Sequence, residues 1–152
     1  MRILIQCVQH ASVTIDSKVV SSIQKGELVF VGFTNSDTEP IVDKMINKLL
    51  KLRIFPDESG KTNLALNDIS GHILCVSQFT LYASLKEGNR PAFVNCMRPD
   101  EARNLYDYFV EKMKELVPSS QFGVFQADMK VDLLNDGPFT ILLDSKELGY
   151  GD

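Results

Sequence analysis

The sequence predicts an α+β fold: one domain in which two main helices cover part of a mostly antiparallel or mixed β-sheet, in β/β/α layers. Three observations predict it. Many short runs alternate apolar and polar residues, as half-buried strands do. Only two stretches, one ending near Leu52 and one opening at Pro99, carry apolar residues at helical spacing. Strands and helices do not alternate regularly, which argues against a doubly wound parallel sheet. The chain has 152 residues, 44% hydrophobic and 24% charged, without linker, repeat or low-complexity tract. One domain spanning 1–152 is therefore expected.

Residues 2–8 and 12–16 alternate as two strands, Asp16-Ser17-Lys18 reads as a tight turn, and Val19 to Ile23 returns. Leu28 to Phe33 is a continuous apolar run with a glycine inside, the pattern of a strand buried on both faces. A helix starts after Ser36, Asp37 or Thr38, with Pro40 in its first turn, where the missing N–H is no loss. Ile41, Met45, Val42, Ile46 and Leu49 give it a broad apolar face. Arg53 to Pro56 is strand-like, Asp57 to Gly60 a turn, and Asn63 to Ser70 irregular. His72 to Tyr82 reads as one long β run, followed by a loop from Leu85 to Met97. The second helix carries Ala102, Leu105, Tyr106, Phe109, Val110, Met113 and Leu116 at helical spacing and stops by Pro118. Phe122 to Ala127, Met129 to Leu134 and Phe139 to Leu143 are expected as strands, with Asn135-Asp136-Gly137-Pro138 as the turn before the last.

Composition excludes several classes of function. No run of 18 apolar residues occurs, and the N-terminus turns polar too early for a signal peptide, so no membrane partner and a cytoplasmic location are expected. Cys7, Cys75 and Cys96 are odd in number and widely spaced, which reads as reduced, mostly buried thiols. With only His10 and His72 to join them, no cluster has metal-ligand spacing, and neither metal nor cofactor is expected. The net charge of −4 and pI near 5.2 argue against a protein that coats nucleic acid along its backbone, but not against one that grips an RNA end. Lys44, Lys48, Lys51 and Arg53 supply a local basic stripe, although alone they read as a solvated helix face. There is no G-x-S-x-G elbow, no phosphate-binding glycine loop and no triad context for either histidine.

Two segments concentrate the polar chemistry. Ser77-Gln78-Phe79-Thr80-Leu81 ends a β run, and Asn135-Asp136-Gly137-Pro138-Phe139-Thr140 follows about sixty residues later. With the opening Ile-Gln-x-Val-x-x-Ala-Ser-Val, Leu-x-Leu-Arg-Ile-Phe at 50–55, Asn89-Arg90-Pro91-x-Phe93 and Phe125-x-Ala127-Asp128-Met129, the order of these motifs resembles the D-aminoacyl-tRNA deacylase family over nearly the whole chain. The resemblance implies hydrolysis of the ester bond of D-aminoacyl-tRNA, or of mischarged glycyl-tRNA, by a homodimer that holds the aminoacyl-tRNA 3′ end and proofreads chirality.

In that light Ser77, Gln78 and Phe79 read as a pocket wall, where alone they are a strand end capping a turn. Phe79 offers a flat face for an unstacked base, Gln78 a donor and an acceptor. Thr80 adds a hydroxyl, and the Phe79 and Thr80 N–H groups can face an ester carbonyl as an oxyanion hole. Gly137-Pro138 alone is a hairpin turn. The resemblance implies a cis-proline element reaching across the dimer into the partner's site, where main-chain atoms reject an L side chain and admit D residues or glycine. Phe125 and Met129 read as further pocket wall or as ordinary core.

Gln78 and Thr80 are the candidate catalytic residues. Thr80 is a candidate nucleophile; the alternative is assistance by the 2′-OH of the terminal adenosine. The second is preferred, because no general base lies within motif range of Thr80. Cys7 departs from the family, which has an arginine there expected to brace the Gly-Pro element. Glu87 and Ala92 replace more basic or hydroxylated residues in the Gly-x-Arg-Pro loop. Two other readings stand beside hydrolysis of D substrates: a non-catalytic dimeric module for the tRNA 3′ end, and a relaxed deacylase for small L-aminoacyl-tRNA.

Overall fold

The structure, a computed structural model, describes residues 1–151. In chain order the elements are β1 (Arg2–Ile15), β2 (Lys18–Ile23), β3 (Gly26–Gly32), α1 (Glu39–Lys51), β4 (Phe55–Pro56), β5 (Thr62–Leu64), β6 (His72–Ser77), α2 (Pro99–Leu116), β7 (Gln121–Phe122) and β8 (Lys130–Asp144). β1 is the axis. β8 runs antiparallel along one side of it, and β3 and then β2 occupy the other. β6 lies parallel to β3, and β7 parallel to β6. β4 and β5 form a separate ribbon. This is the expected α+β class with a mixed sheet and two helices.

Strand periodicity divides the interior into two cores. Ile3, Ile5 and Cys7 face one side of the sheet with Val29, Val31, Ile73 and Cys75, beneath both helices. Val8, Ala11 and Val13 face the other side with Ile23, Leu28, Leu74 and Val76, where Val131 and Leu133 of β8 close over them. Because side chains alternate along a strand, Cys7 and Val8 face opposite cores in the ordinary way, but Val8 and Ala11, three residues apart, share one core only through an irregularity. The β1–β8 register supplies it, since Val8 pairs with Asn135 and Ala11 with Leu133; a second, larger shift precedes it, where Gln6 pairs with Thr140 but Val8 with Asn135. Asp136 to Phe139 therefore bulge out opposite the single residue Cys7.

α1 starts after Thr38, which is extended (φ −137°, ψ 165°) and makes no side-chain cap, and Pro40 sits in its first turn. Its buried stripe is Ile41, Val42, Met45, Ile46 and Leu49, each contributing roughly 1.5–3 kcal/mol when removed from water. It ends as Leu52 turns extended and donates its N–H to Leu49. α2 buries Ala102, Tyr106, Phe109 and Met113 on the same core, and its Tyr106 hydroxyl donates 3.2 Å to the Cys75 carbonyl of β6. Tyr108 of α2 donates to the Asp43 carboxylate of α1 at 2.9 Å, tying the helices together.

Four sequence expectations change. Residues 2–8 and 12–16 are one strand, not two, because the phase break between Val8 and Ala11 is a bulge in a continuous strand rather than an end. The β run from His72 stops at Ser77; Phe79–Tyr82 form a 3-10 turn, with Leu81 N–H bonded to Gln78 and Ala83 N–H to Thr80. Asn135 to Pro138 is a bulge inside β8, not a turn between strands. Of the 122–127 segment only Phe122 pairs, together with Gln121 before it, because the chain then turns through Gln126 at φ 65°.

Candidate active site

β3 and β6 run parallel and end together, with Val31 paired to Ser77. Carboxyl ends of adjacent parallel strands are where a cleft opens, since both chains must leave the sheet there. Here β3 continues through Gly32 and Phe33, and β6 through Gln78 into the 3-10 turn. Gln78 N–H still bonds the Val31 carbonyl at 2.7 Å, which fixes the turn against β3. A Cβ on Gly32 would stand 2.7 Å from the Gln78 carbonyl oxygen, so the close approach of the two chain exits requires glycine.

The cleft between these exits has a volume of about 760 Å³. Ser77, Gln78 and Phe79 line one side, and Phe125, Ala127 and Met129 the other. The structure thus brings together two segments that lie almost fifty residues apart in the chain. Phe79 is 54% exposed at the mouth and meets Phe93 edge to face, with ring centroids 5.1 Å apart. Phe125 is held from behind by Tyr106, centroid to centroid 5.7 Å, and by the Arg103 guanidinium 4.7 Å from its ring centre. Arg103 also donates to the Gln126 side chain at 3.2 Å.

Thr80 does not line the cleft. It is exposed on the turn, and its hydroxyl accepts a hydrogen bond from the Gln78 side-chain amide at 2.5 Å. The turn leaves the Phe79 and Thr80 N–H groups without a backbone acceptor, as the first residues of a helical turn are. Neither histidine nor cysteine is among the cleft's lining residues. His72 begins β6, at the far end from Ser77, and His10 lies 3.9 Å from Asp132 on the exposed β1–β8 ribbon.

Gly137 and Pro138 are absent from the cleft of their own chain. They sit exposed on β8, three strands from β6, opposite Cys7, which pairs with Glu27 of β3, four residues before Val31. Strand spacings place them on the order of 20 Å from Ser77. The peptide bond between them is cis, as the resemblance implied. Asn135 spans the bulge: its side-chain carbonyl accepts from Phe139 N–H at 2.8 Å, and its amide donates to the Thr140 hydroxyl at 3.1 Å. Gln9 donates to the Asp136 carboxylate at 2.5 Å. The Asn135 and Gln9 amides thus both hydrogen-bond within the bulge.

Several lining residues escaped the sequence reading. Gly32 and Phe33 passed as the tail of a buried strand, Met97 and Pro99 as loop and cap, and Ala102 as one helical core position. The signal that could have found them is the parallel pairing of β3 with β6, which only a β–helix–β connection over 26–77 reveals.

A cleft that joins the aromatic rings of Phe79 and Phe125 to the Ser77 hydroxyl and the Gln78 and Gln126 amides suits a planar ring beside a polar group. Comparison with known proteins gives the chain a family. The model of the D-Tyr-tRNA(Tyr) deacylase family matches residues 4–144. A D-aminoacyl-tRNA deacylase of Lactobacillus helveticus is 51% identical over 144 residues, covering 95% of this chain and 99% of the relative. That of Flavobacterium johnsoniae is 48% identical over 147 residues, 96% and 98% of the two chains. Among solved structures, the c-Myc DNA unwinding element binding protein superposes with a TM-score of 0.90 at 38% identity, covering 95% of this chain and 98% of that one. A probable eukaryotic D-amino acid tRNA deacylase shares the fold at TM-score 0.82 and 18% identity, over 93% and 97% of the chains. The chain belongs to the D-Tyr-tRNA(Tyr) deacylase family.

Proposed function

We propose that this protein hydrolyses the ester linking a D-amino acid, or glycine, to the terminal adenosine of tRNA, and that it does so as a homodimer. The observation that carries the reading is the convergence of Ser77, Gln78 and Phe79 with Phe125 and Met129 on one cleft, in a chain about half identical to D-aminoacyl-tRNA deacylases.

The terminal base lies against the Phe79, Phe125 and Met129 side chains, whose flat or polarizable surfaces take a nucleobase without needing its identity. The ester carbonyl faces the Phe79 and Thr80 N–H groups, which stabilise charge as it develops on the oxygen. Gln78 orients the substrate or the attacking water. No imidazole or thiolate lines the cleft, and its one carboxylate, Asp128, is paired with Lys130; the 2′-OH beside the ester carries the proton, and the protein works by position and electrostatics on an already activated ester.

The gate is the Gly137–Pro138 bulge of the partner subunit. The bulge is exposed and remote from the cleft of its own chain, so it can meet a cleft only across a dimer. A wall of main-chain atoms there rejects an L side chain and passes a D side chain or the hydrogen of glycine. Incubation of the pure protein with D-tyrosyl-, glycyl-, L-tyrosyl- and L-alanyl-tRNA tests this reading. Release of the first two alone is expected. Binding without release would leave a tRNA 3′-end module, and cleavage of L-alanyl-tRNA a relaxed deacylase.

A further inference from the structure

Outside the cleft, the loop from Ser84 to Arg98 presents a second aromatic ring to solvent. Phe93 is 47% exposed and its neighbour Val94 75%, beside the 54% exposed Phe79 at the cleft mouth. This loop is not loose. Ser84 and Ala92 exchange backbone hydrogen bonds at 2.8 and 2.9 Å, and Cys96 N–H returns to the Phe93 carbonyl at 3.0 Å. The Cys96 thiol donates to the Phe79 carbonyl at 3.3 Å, the Thr34 hydroxyl to the Asn95 carbonyl at 2.7 Å, and Met97 N–H to Phe33 at 3.1 Å. Phe93 is thus fixed to the rim of the cleft, its ring 5.1 Å from that of Phe79 at an interplanar angle of 63°.

A fixed, half-exposed aromatic ring is a poor way to finish a soluble surface and a good way to hold a base, because every base has a face to stack. Charge around it agrees. Lys86 and Arg90 are exposed on this loop against one acid, Glu87, and Arg98 at its end, also exposed, lies 3.7 Å from Asp100, in a chain whose net charge is −4. Cations flanking aromatic rings are what a single-stranded phosphate backbone requires.

We propose that Phe93 is the stacking platform for the unpaired nucleotide that precedes the terminal adenosine, with Lys86, Arg90 and Arg98 facing its phosphates. The proposal rests on the deacylase reading and extends it: the site takes two successive bases of the single-stranded 3′ end, one inside the cleft and one on its rim.

The test compares two substrates of the same chemistry, D-tyrosyl-tRNA and the minimal ester 3′-O-(D-tyrosyl)adenosine, which lacks the preceding nucleotide. For Phe93→Ala, KM toward the tRNA should rise roughly 5- to 150-fold, the loss of one stacked base, with kcat little changed. The adenosine ester should be hydrolysed as by wild type, and Phe93→Tyr should restore the tRNA KM. Equal losses on both substrates would make Phe93 a brace for Phe79 and overturn the platform. So would unchanged kinetics on tRNA, or a Phe93→Ala protein that sediments as a smaller species than wild type, which would mark the patch as a face between subunits. Wild-type protein inactive on both substrates overturns the deacylase reading itself, and the platform with it.

Discussion

Glu27 stands directly opposite Cys7 on the β1–β3 ladder, fully buried, with neither carboxylate oxygen hydrogen-bonded. Burial pushes its carboxyl from 4.5 up to about 8, and pushes the facing Cys7 thiol up to about 12, with the Glu27 and Asp136 charges adding to the latter. A carboxylic acid without a cation beside it stays protonated, because the ion would lose its hydration for nothing.

The consequence is a pH dependence of unusual sign. The folded state holds the Glu27 proton more tightly than the unfolded chain, so its contribution to stability is fullest below about pH 4.5 and falls as pH rises toward about 8. The slope approaches about 1.4 kcal/mol per pH unit in that window. Urea midpoints between about pH 5 and about pH 8 should decline, and Glu27→Gln should flatten the decline. An identical slope in the variant would assign the dependence to other groups.

Asn135 ties together the bulge proposed as the gate. Its side chain makes two of the hydrogen bonds that close the bulge, together worth about 1–3 kcal/mol. Asn135→Ala should lower the D-tyrosyl-tRNA rate and let measurable L-tyrosyl-tRNA cleavage appear, because a loosened wall excludes less. Unchanged discrimination between D and L would show that the bulge is held by other contacts.

Gly137 has φ +145°, and a Cβ there would lie 2.8 Å from the Phe139 nitrogen. Gly137→Ala must move the bulge, at a cost of about 1–3 kcal/mol. Deacylation of D substrates should fall while the far-ultraviolet circular dichroism stays that of wild type. Wild-type kinetics in this variant would count against a gate at this position.

The Thr80 hydroxyl accepts from the Gln78 amide, and among the described residues no base is hydrogen-bonded to it. Thr80→Ala should therefore keep a rate within about tenfold of wild type, the loss of one hydrogen bond rather than of a nucleophile. A collapse to background, or a trapped acyl-enzyme in the wild type, would restore threonine as the attacking group.

The sequence made the class of fold, both helices and one half of the site readable, because each depends on local patterns. α1 and α2 follow from apolar spacing, and Ser77 to Phe79 from polar residues where a β run expires. What it hid depends on partners far along the chain. The Phe79–Tyr82 turn is written in strand-forming residues, but β3 has ended beside it and Leu81 folds over Gly32 instead of extending the ladder. Asn135 to Pro138 reads locally as a hairpin turn, and only the uninterrupted β1 opposite makes it a bulge. The orphan carboxylate of Glu27 is invisible until β1 sets Cys7 across from it.

Subunit mixing tests most directly whether each cleft is closed by the partner's Gly137–Pro138 bulge. Gln78→Ala spoils a cleft and Gly137→Ala a gate, so each homodimer should be weak. A dimer of one subunit of each kind contains one intact cleft facing one intact gate, so co-refolding the two should recover up to about a quarter of wild-type D-tyrosyl-tRNA deacylation. Activity no greater than the average of the two variants alone would contradict the exchange of gates between subunits.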